Sequence, residues 1–337
     1  MTKKTAIMIC GHGSRDTQAV EEFNLLARHF RQRLPHEDVE SGFLEFARPV
    51  IRDGLEALKA RGAQRILAVP AMLFAAGHVK NDLPWEINSF AAENPGIEVK
   101  YGRDLGVDAK LLRVAAERIE SAERTSARKV ARAETLLMVV GRGTNDPDAN
   151  SNISKVTRML WEGMGFGWAE TSYSGVTAPL VDAGLARAAK LGFKRIIVFP
   201  YFLFTGILVK RIYDWTDEAA ALYPEIEFLK APYLRDHDLV IDAFVERLEE
   251  MRDGNPAMNC QLCKYREQVL GREQEVGLAQ TGHHHHVVGI GTDAEHGHHH
   301  DHDHHHGGHR HDHDHGHHHH HGHDHSHDQA HDPEHER

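Results

Sequence analysis

The sequence predicts an α/β protein built from two tandem-duplicated, parallel-sheet α/β domains, followed by a disordered, histidine-rich C-terminal tail. Short apolar runs alternate with amphipathic helical segments as far as residue 252. This alternation is typical of a parallel sheet covered by helices on both faces. The same motifs recur at a constant offset of 130 residues, which indicates an internal repeat. From residue 281 the chain consists mainly of His, Asp and Gly, a composition that cannot bury a core.

The first predicted strand is the apolar run from Thr5 to Cys10. A helix follows it, because apolar side chains recur at helical spacing between Val20 and Leu34. An extended segment at residues 38–46 predicts the second strand. The next helix, residues 51–62, places its apolar side chains on one face and ends at a glycine.

The third predicted strand, Arg65–Pro70, is short, apolar and flanked by helix breakers, as expected for a strand buried on both faces. A loop at residues 71–80 follows it. Asp82 and Pro84 predict the N-cap and first turn of a helix that runs to about residue 92. The unit is completed by a predicted strand at residues 97–101 and a predicted helix at residues 107–122.

Two matched motifs carry the repeat. Gly11-His-Gly-Ser-Arg-Asp16 aligns with Gly141-Arg-Gly-Thr-Asn-Asp146, and Arg65–Pro70 aligns with Arg195–Pro200. These matches in one register predict two copies of one unit. The predicted organisation is an α/β domain with the candidate site at residues 1–121, a linker at 122–134, a second α/β domain at 135–252, a Cys-x-x-Cys segment at 253–280 and the tail at 281–337.

Composition excludes several classes of function. The net charge of −11 gives no reason to expect nucleic-acid binding. No apolar run approaches the roughly 20 residues of a membrane helix, and the opening residues do not resemble a signal peptide. Three cysteines do not make a disulfide framework. We therefore expect a cytoplasmic protein, a monomer or homodimer, with neither nucleic acid nor membrane as a partner. Histidine is the abnormal component, since there are 31 in all and only five precede residue 283.

The candidate site lies where three predicted strands end. His12 follows the first strand, Glu45 ends the second and His78 follows the third. Because parallel strands end at the same edge of a sheet, these side chains are expected to meet in one cleft. Two imidazoles and a carboxylate suit a first-row divalent metal and leave positions open for a substrate. The counterparts of these residues in the second copy are Arg142, Gly175 and Leu208.

None of these counterparts is expected to hold a divalent metal. The first domain is therefore expected to carry the chemistry, and the second to keep mainly the scaffold. Two simpler interpretations of His12 stay open. A histidine in a turn can serve as a hydrogen-bonding or capping residue, and a Gly-His-Gly-Ser loop at a helix N-terminus suits phosphate binding. The loop lacks the spacing of a P-loop or a dinucleotide fingerprint, which argues against a nucleotide.

These motifs are similar to those of a known family. Gly11-His-Gly-Ser-Arg15, the segment Gly77-His-Val-Lys-Asn-Asp82 and the tandem repeat resemble the CbiX family of sirohydrochlorin chelatases, which belongs with the class II chelatases. The family's two metal-binding histidines correspond to His12 and His78, and its acidic partner corresponds to Glu45. The resemblance implies that the substrates are sirohydrochlorin, a tetrapyrrole, and a divalent metal ion.

The resemblance extends into the C-terminal region. Met258-Asn-Cys260-Gln-Leu-Cys263 looks like the Met-x-Cys-x-x-Cys motif of the long CbiX form, which also carries a histidine-rich segment. That form is a cobaltochelatase of cobalamin synthesis, so the resemblance implies Co²⁺ as the metal and a [4Fe–4S] cluster at Cys260 and Cys263. Because a cluster usually needs four thiolates, two chains would share one cluster or other ligands would complete it. A zinc site, a redox pair or two free thiols are the alternatives for this dithiol.

Three cations close to the strand ends, Arg15, Arg48 and Lys80, are candidate partners for the carboxylates of sirohydrochlorin. Ordinary solvated surface charge is the alternative for each of them. The imidazoles of the tail are expected to bind Co²⁺ or Ni²⁺ as a metal buffer. Storage of metal and delivery of metal to His12 and His78 are both compatible with this composition.

The sequence and the resemblance together predict a chelatase, a lyase that inserts Co²⁺ into sirohydrochlorin. His12 and His78 would hold the metal, and a neutral imidazole or Glu45 would accept the pyrrole protons as general base. Insertion of iron or nickel differs only in the metal and stays open. A metal store or chaperone is the alternative from a different class. The second copy lacks both histidines while the first copy keeps them, and this difference argues against a metal store or chaperone.

Overall fold

Each half of the chain forms the same series of strands and helices. The computed structural model describes residues 3–252. In the first half the strands are β1 (Thr5–Gly11), β2 (Asp38–Phe43), β3 (Arg65–Pro70) and β4 (Glu98–Tyr101), and the helices are α1 (Thr17–Arg33), α2 (Ile51–Ala60), α3 (Leu83–Glu93) and α4 (Ala109–Thr125). In the second half the strands are β5 (Thr135–Gly141), β6 (Trp168–Tyr173), β7 (Arg195–Pro200) and β8 (Glu227–Lys230), and the helices are α5 (Pro147–Met164), α6 (Val181–Ala188), α7 (Ile207–Leu222) and α8 (Asp238–Arg252).

The strands form two parallel, four-stranded sheets with the same topology. Their orders are β2-β1-β3-β4 and β6-β5-β7-β8. The registers also match, because Ile9 lies opposite Val69 in the first sheet and Val139 lies opposite Phe199 in the second. All four of these side chains are buried, as expected for strands covered on both faces. The predicted fold of two tandem parallel α/β units is confirmed.

Helices from both halves share a central layer between the two sheets. α1 and α4 from the first half pack with α5 and α8 from the second, and one continuous apolar core runs through them. The rings of Phe30 and Phe244 meet in this layer with their centroids 6.2 Å apart. α2 and α3 cover the outer face of the first sheet, and α6 and α7 cover the outer face of the second. The halves are thus joined by burial of apolar side chains.

Two ion pairs join the halves at equivalent positions. Asp16 and Asp146 are the N-caps of α1 and α5, and each carboxylate accepts a hydrogen bond from a backbone N–H of its own helix. Lys80 Nζ lies 2.8 Å from Asp146, and Lys210 Nζ lies 2.5 Å from Asp16. The Lys80 pair is buried, whereas the side chain of Lys210 is 52% exposed. Each N-cap therefore also binds the opposite half.

The third helix begins differently from the sequence prediction. Residues His78–Asp82 form a π-helical turn that leads directly into α3. Asp82 has helical backbone angles and makes no capping hydrogen bond, so its assignment as the N-cap was wrong. The reason is that the helical turn already begins at His78, which places Asp82 one turn inside the helix. Such π-helical turns are frequent at functional sites.

Two smaller features bear on the predicted organisation. α4 continues to Thr125, so the first residues of the predicted linker are helical, and a 3₁₀ turn, Arg132–Glu134, leads into β5. Among the helices of residues 3–252, none has both the length and the apolar character needed to cross a membrane. The predicted Cys-x-x-Cys segment and the tail lie outside the described residues.

Candidate metal centre

Three potential metal ligands meet at the carboxyl edge of the first sheet. His12 directly follows β1, Glu45 lies just after β2, and His78 opens the π-helical turn after β3. One ligand atom from each of these residues lies within 4.8 Å of the others. The rings of His12 and His78 meet edge to face with their centroids 4.6 Å apart. The structure thus brings together the three side chains that the sequence singled out.

The two nitrogens of His12 have different environments. Nδ1 lies 2.9 Å from the carbonyl oxygen of Gly13, a contact in which the ring donates its proton to that oxygen. Nε2 is buried, has no hydrogen-bond partner among the described residues, and lies 3.6 Å from Glu45 Oε1. A buried nitrogen without a hydrogen-bond partner lowers the stability of the fold, because it has lost its hydrogen bond to water. This nitrogen faces the other two ligands, so a metal ion would satisfy its lone pair.

His78 is oriented by a buried carboxylate. Its Nδ1 lies 2.8 Å from Asp82 Oδ2, and Asp82 is fully buried. Asn81 Nδ2 donates a hydrogen bond to the other carboxylate oxygen at 3.1 Å. Metal-binding histidines commonly donate their second N–H to a carboxylate, which fixes the tautomer and raises the basicity of the ligand nitrogen. The bond to Asp82 thus fixes the tautomer in which Nε2 of His78 carries the lone pair.

The electrostatics of the cluster keep the imidazole of His12 available to a cation. Burial, together with the neighbouring His78, lowers the pKa of His12 to about 4. His12 is therefore neutral near pH 7, which is the form that binds metal. The neutral imidazole of His12, the imidazole of His78 and the carboxylate of Glu45 resemble the two-histidine, one-carboxylate sites that leave coordination positions open.

Two unusual backbone conformations hold the site together. Gly13 has φ +96°, and a Cβ atom there would lie 1.7 Å from the carbonyl oxygen of Glu45, so only glycine fits. Phe46 adopts φ +64°, a strained conformation for a bulky residue. Its ring lies 6.0 Å from the ring of His12. Strain of this kind concentrates where side chains must be held in place at a site. No residue pattern around Phe46 indicates it in advance.

The cluster opens into a cavity of about 670 Å³ between the two halves. His12 and His78 lie on its wall, and the rest of the lining is mostly apolar. The large apolar residues of the lining are Phe23, Phe43, Phe46, Met72, Leu73 and Phe74 from the first half, and Ile153, Tyr201, Phe202, Leu203, Phe204, Ile207 and Leu208 from the second. A cavity of this size and character suits a large, flat organic ligand.

The second half contributes more than a scaffold, in contrast to the sequence prediction. It supplies one wall of the cavity, including Arg142, the counterpart of His12. Across the joint, Phe74 of the first half stacks on Tyr201 of the second, with ring centroids 5.8 Å apart. A single sequence shows which metal ligands the second copy lacks. It does not show that both copies face the same cavity.

Of the three predicted carboxylate partners, Arg15 is the one that lines the cavity, where its guanidinium lies over the ring of Phe46, 5.0 Å from the centroid. Arg48 and Lys80 are not among the described lining residues. Arg48 lies 3.7 Å from Asp53. Lys80 contacts Asp146 and Asp148 across the joint, so its ammonium is engaged between the halves instead of facing a ligand.

The predicted cluster cysteines, Cys260 and Cys263, lie outside the described residues. Among the residues that the structure covers, Cys10 is a buried free thiol on β1. Burial raises the pKa of this thiol far above its ordinary value, which makes it unreactive. Cys10 belongs to the core beneath α2 and α3.

Comparison with proteins of known sequence finds chelatases. A sirohydrochlorin cobaltochelatase from Priestia megaterium is 38% identical over 267 residues, which cover 77% of this chain and 84% of that protein. A sirohydrochlorin ferrochelatase from the same organism is 32% identical over 233 residues, which cover 69% of this chain and 85% of that protein. Relatives that differ in their metal thus match most of the same chain.

Comparison with solved structures gives the same result. SirB from Bacillus subtilis with Fe³⁺ superimposes with a TM-score of 0.67 at 27% identity, over 76% of this chain and 99% of that one. The sirohydrochlorin chelatase SirB from Bacillus subtilis subspecies spizizenii in complex with cobalt gives a TM-score of 0.63 at 26% identity, over 75% and 97% of the two chains. The CbiX family model matches residues 6–122 and again residues 136–251. With both halves matched and relatives similar over most of its length, the chain belongs to the CbiX family.

Proposed function

We propose that this protein is a sirohydrochlorin chelatase, a lyase that inserts Co²⁺ into sirohydrochlorin during cobalamin biosynthesis. One observation carries the proposal, namely that His12 and His78, which form a cluster with Glu45, line a large and mostly apolar cavity. A metal store needs ligands but has no need of such a cavity. The relative at 38% identity, a sirohydrochlorin cobaltochelatase, supports both the substrate and the metal.

The three ligand side chains are placed so that they can hold a metal ion and then release it to the macrocycle. His12 Nε2, His78 Nε2 and a Glu45 oxygen would hold the divalent metal substrate beside the bound macrocycle. The four ring nitrogens then replace these protein ligands, and two pyrrole N–H protons leave as the metal enters. Glu45 is the proposed acceptor of a proton, and a neutral imidazole released by the metal can accept another. The metal keeps its charge of +2 throughout, so the reaction needs no oxidant or reductant.

Iron is the second candidate metal, because a ferrochelatase matches at 32% identity and one solved relative holds Fe³⁺. Imidazole and carboxylate ligands accept iron, cobalt and nickel, so their chemistry alone does not select among them. We assign cobalt on the more similar relative. Binding of Co²⁺ or Ni²⁺ by the tail, a [4Fe–4S] cluster at Cys260 and Cys263, the cytoplasmic location and the monomeric or dimeric state stay predictions, as do the domain limits.

An anaerobic absorbance assay with sirohydrochlorin and either Co²⁺ or Fe²⁺ tests the proposal. A chain ending at residue 280 removes the imidazoles of the tail, and the full chain is assayed beside it. We expect metal-dependent spectral conversion that is lost in His12→Ala and His78→Ala. His29→Ala is the matched control, because His29 contacts Asp236 and does not line the cavity.

The two metals are compared at equal free concentrations. Faster conversion with Co²⁺ than with Fe²⁺ supports the cobaltochelatase assignment, and the reverse order supports a ferrochelatase. If neither the full chain nor the chain ending at residue 280 exceeds the uncatalysed rate, and metal binds only to the tail, the protein is a metal store instead.

A further inference from the structure

The cavity has two equivalent walls that carry different chemistry. The loop after β1 reads Gly11-His-Gly-Ser-Arg15, and the loop after β5 reads Gly141-Arg-Gly-Thr-Asn145. Both loops line the same cavity. At the position where the first wall presents the imidazole of His12, the second wall presents the guanidinium of Arg142. The duplication thus placed a permanent cation in the same cavity as the metal ligands, where its charge acts on both His12 and Glu45.

The charged side chains that line the cavity are cations, and the carboxylate of Glu45 lies beside the lining, 3.6 Å from His12 Nε2. Among the described residues that line the cavity, Arg15 and Arg142 are the cations, and none is an Asp or a Glu. The two arginines occupy different positions of the repeat, because the counterpart of Arg15 is Asn145 and that of Arg142 is His12. Each half therefore supplies its own cation. A mostly apolar cavity with two cations suits an apolar macrocycle that carries carboxylates at its edge.

Arg142 has no counter-ion in contact with it. Its side chain makes no hydrogen bond or ion pair within residues 3–252, whereas Lys80 and Lys210 at the same joint are bound by aspartates. Arg142 is accessible because the cavity opens around it. The surrounding protein nevertheless desolvates it enough to lower its pKa, an effect that the charge of Glu45 partly opposes. A desolvated guanidinium without a partner gains free energy when a carboxylate binds to it.

We propose that Arg142 is a substrate-binding residue that pairs with a peripheral carboxylate of the tetrapyrrole. This inference rests on the proposed function. A planar guanidinium can bind both oxygens of a carboxylate, which fixes direction as well as distance. Because Arg142 belongs to the second half and lines the same cavity as His12 and His78, this pair would fix the macrocycle between the metal ligands and the second half.

Equilibrium binding of sirohydrochlorin to the full chain tests the inference. The titration is followed by quenching of protein fluorescence in metal-free buffer, so that metal held by the tail or by His12 and His78 does not contribute. We expect Arg142→Gln to weaken binding at least about tenfold, which corresponds to about 1.4 kcal/mol. Arg142→Lys should bind more tightly than Arg142→Gln, since it keeps the charge but loses the bidentate geometry. The control is Arg158→Gln, the same change on α5 at a residue that is 63% exposed and paired with Glu162.

A second titration with the fully esterified macrocycle separates charge pairing from a change in the shape of the cavity. If Arg142 acts through a carboxylate, the wild-type chain and Arg142→Gln should bind the ester with equal affinity, as in a double-mutant cycle. Equal affinity of these two chains for the free acid would overturn the inference and leave the proposed function intact. An equal loss for acid and ester would also overturn it, since the variant would then act through the fold. Failure of the wild-type chain to bind sirohydrochlorin would instead contradict the proposed function itself.

Discussion

Replacement of Asp82 by Asn tests the link between a buried carboxylate and metal affinity. Asp82 is fully buried and lies 2.8 Å from His78 Nδ1. A hydrogen bond to a charged group contributes about 1.5–3 kcal/mol. Loss of a carboxylate partner of a metal-binding histidine typically lowers metal affinity about 10- to 100-fold, or about 1.4–2.7 kcal/mol. We therefore expect Asp82→Asn to weaken Co²⁺ binding about 10- to 100-fold while it keeps the shape of the side chain.

The measurement is a competition titration of Co²⁺ against a chromophoric chelator, with a chain ending at residue 280 so that the imidazoles of the tail do not contribute. Asp217→Asn is the matched control, because Asp217 is 63% exposed and pairs with Lys230 on the second half. Circular dichroism establishes that each variant is folded. If folded Asp82→Asn binds Co²⁺ as tightly as the wild-type chain, Asp82 does not orient His78 for metal binding, and the reasoning is refuted.

Three further predictions concern the fold around the site. Gly13→Ala should lower the free energy of unfolding by about 1–3 kcal/mol and abolish chelation, because the new Cβ displaces Glu45 from the cluster. Lys80→Ala should cost about 3–5 kcal/mol by leaving a buried carboxylate unpaired, whereas Lys210→Ala should cost less than about 1 kcal/mol. The metal-free protein should lose stability as the pH falls from about 7 to 4, because the unfolded chain protonates His12 near pH 6.5 and the folded chain only near pH 4. His12→Ala should remove at most about 2 kcal/mol of that loss at pH 5, since partial exposure screens the effect.

Urea unfolding at fixed pH measures the first two of these, and urea unfolding at pH 7 and pH 5 measures the third. Equal losses for Lys80→Ala and Lys210→Ala would show that burial does not distinguish the two ion pairs. An identical pH dependence for the wild-type chain and His12→Ala would show that the folded protein binds a proton on His12 as readily as the unfolded chain does. Wild-type stability in Gly13→Ala would mean that the loop after β1 can rearrange around a side chain.

The fold could be predicted from the sequence because its signals are local and repeated. The bounds of β3 agree with the predicted strand, since Arg65–Pro70 is an apolar run between two breakers. Because the repeat has a constant offset of 130 residues, the strands and helices predicted for the first half also predict those of the second half. The start of the third helix could not be predicted in the same way. Asp82 has the residue type of an N-cap, but the helical turn begins at His78.

The candidate site could be predicted in part. His12, Glu45 and His78 follow three parallel strands, so topology alone brings them to one edge. The partnership of His78 with Asp82 had a signal in the spacing of four residues, which puts both side chains on one face of a helical turn. The role of Lys80 depends on the other half of the chain, and no local pattern reveals which cation pairs across a joint.

The shared cavity has a consequence for how its two walls can change. In a dimer of two identical chains, every residue near the axis occurs twice, so a metal ligand on one wall would be repeated on the other. Fusion of the copies into one polypeptide removes this constraint. A mutation at residue 142 leaves residue 12 as it was, and one wall can hold a cation while the other holds the metal. A macrocycle bound as we propose would meet two different faces, and its metal would enter from one side.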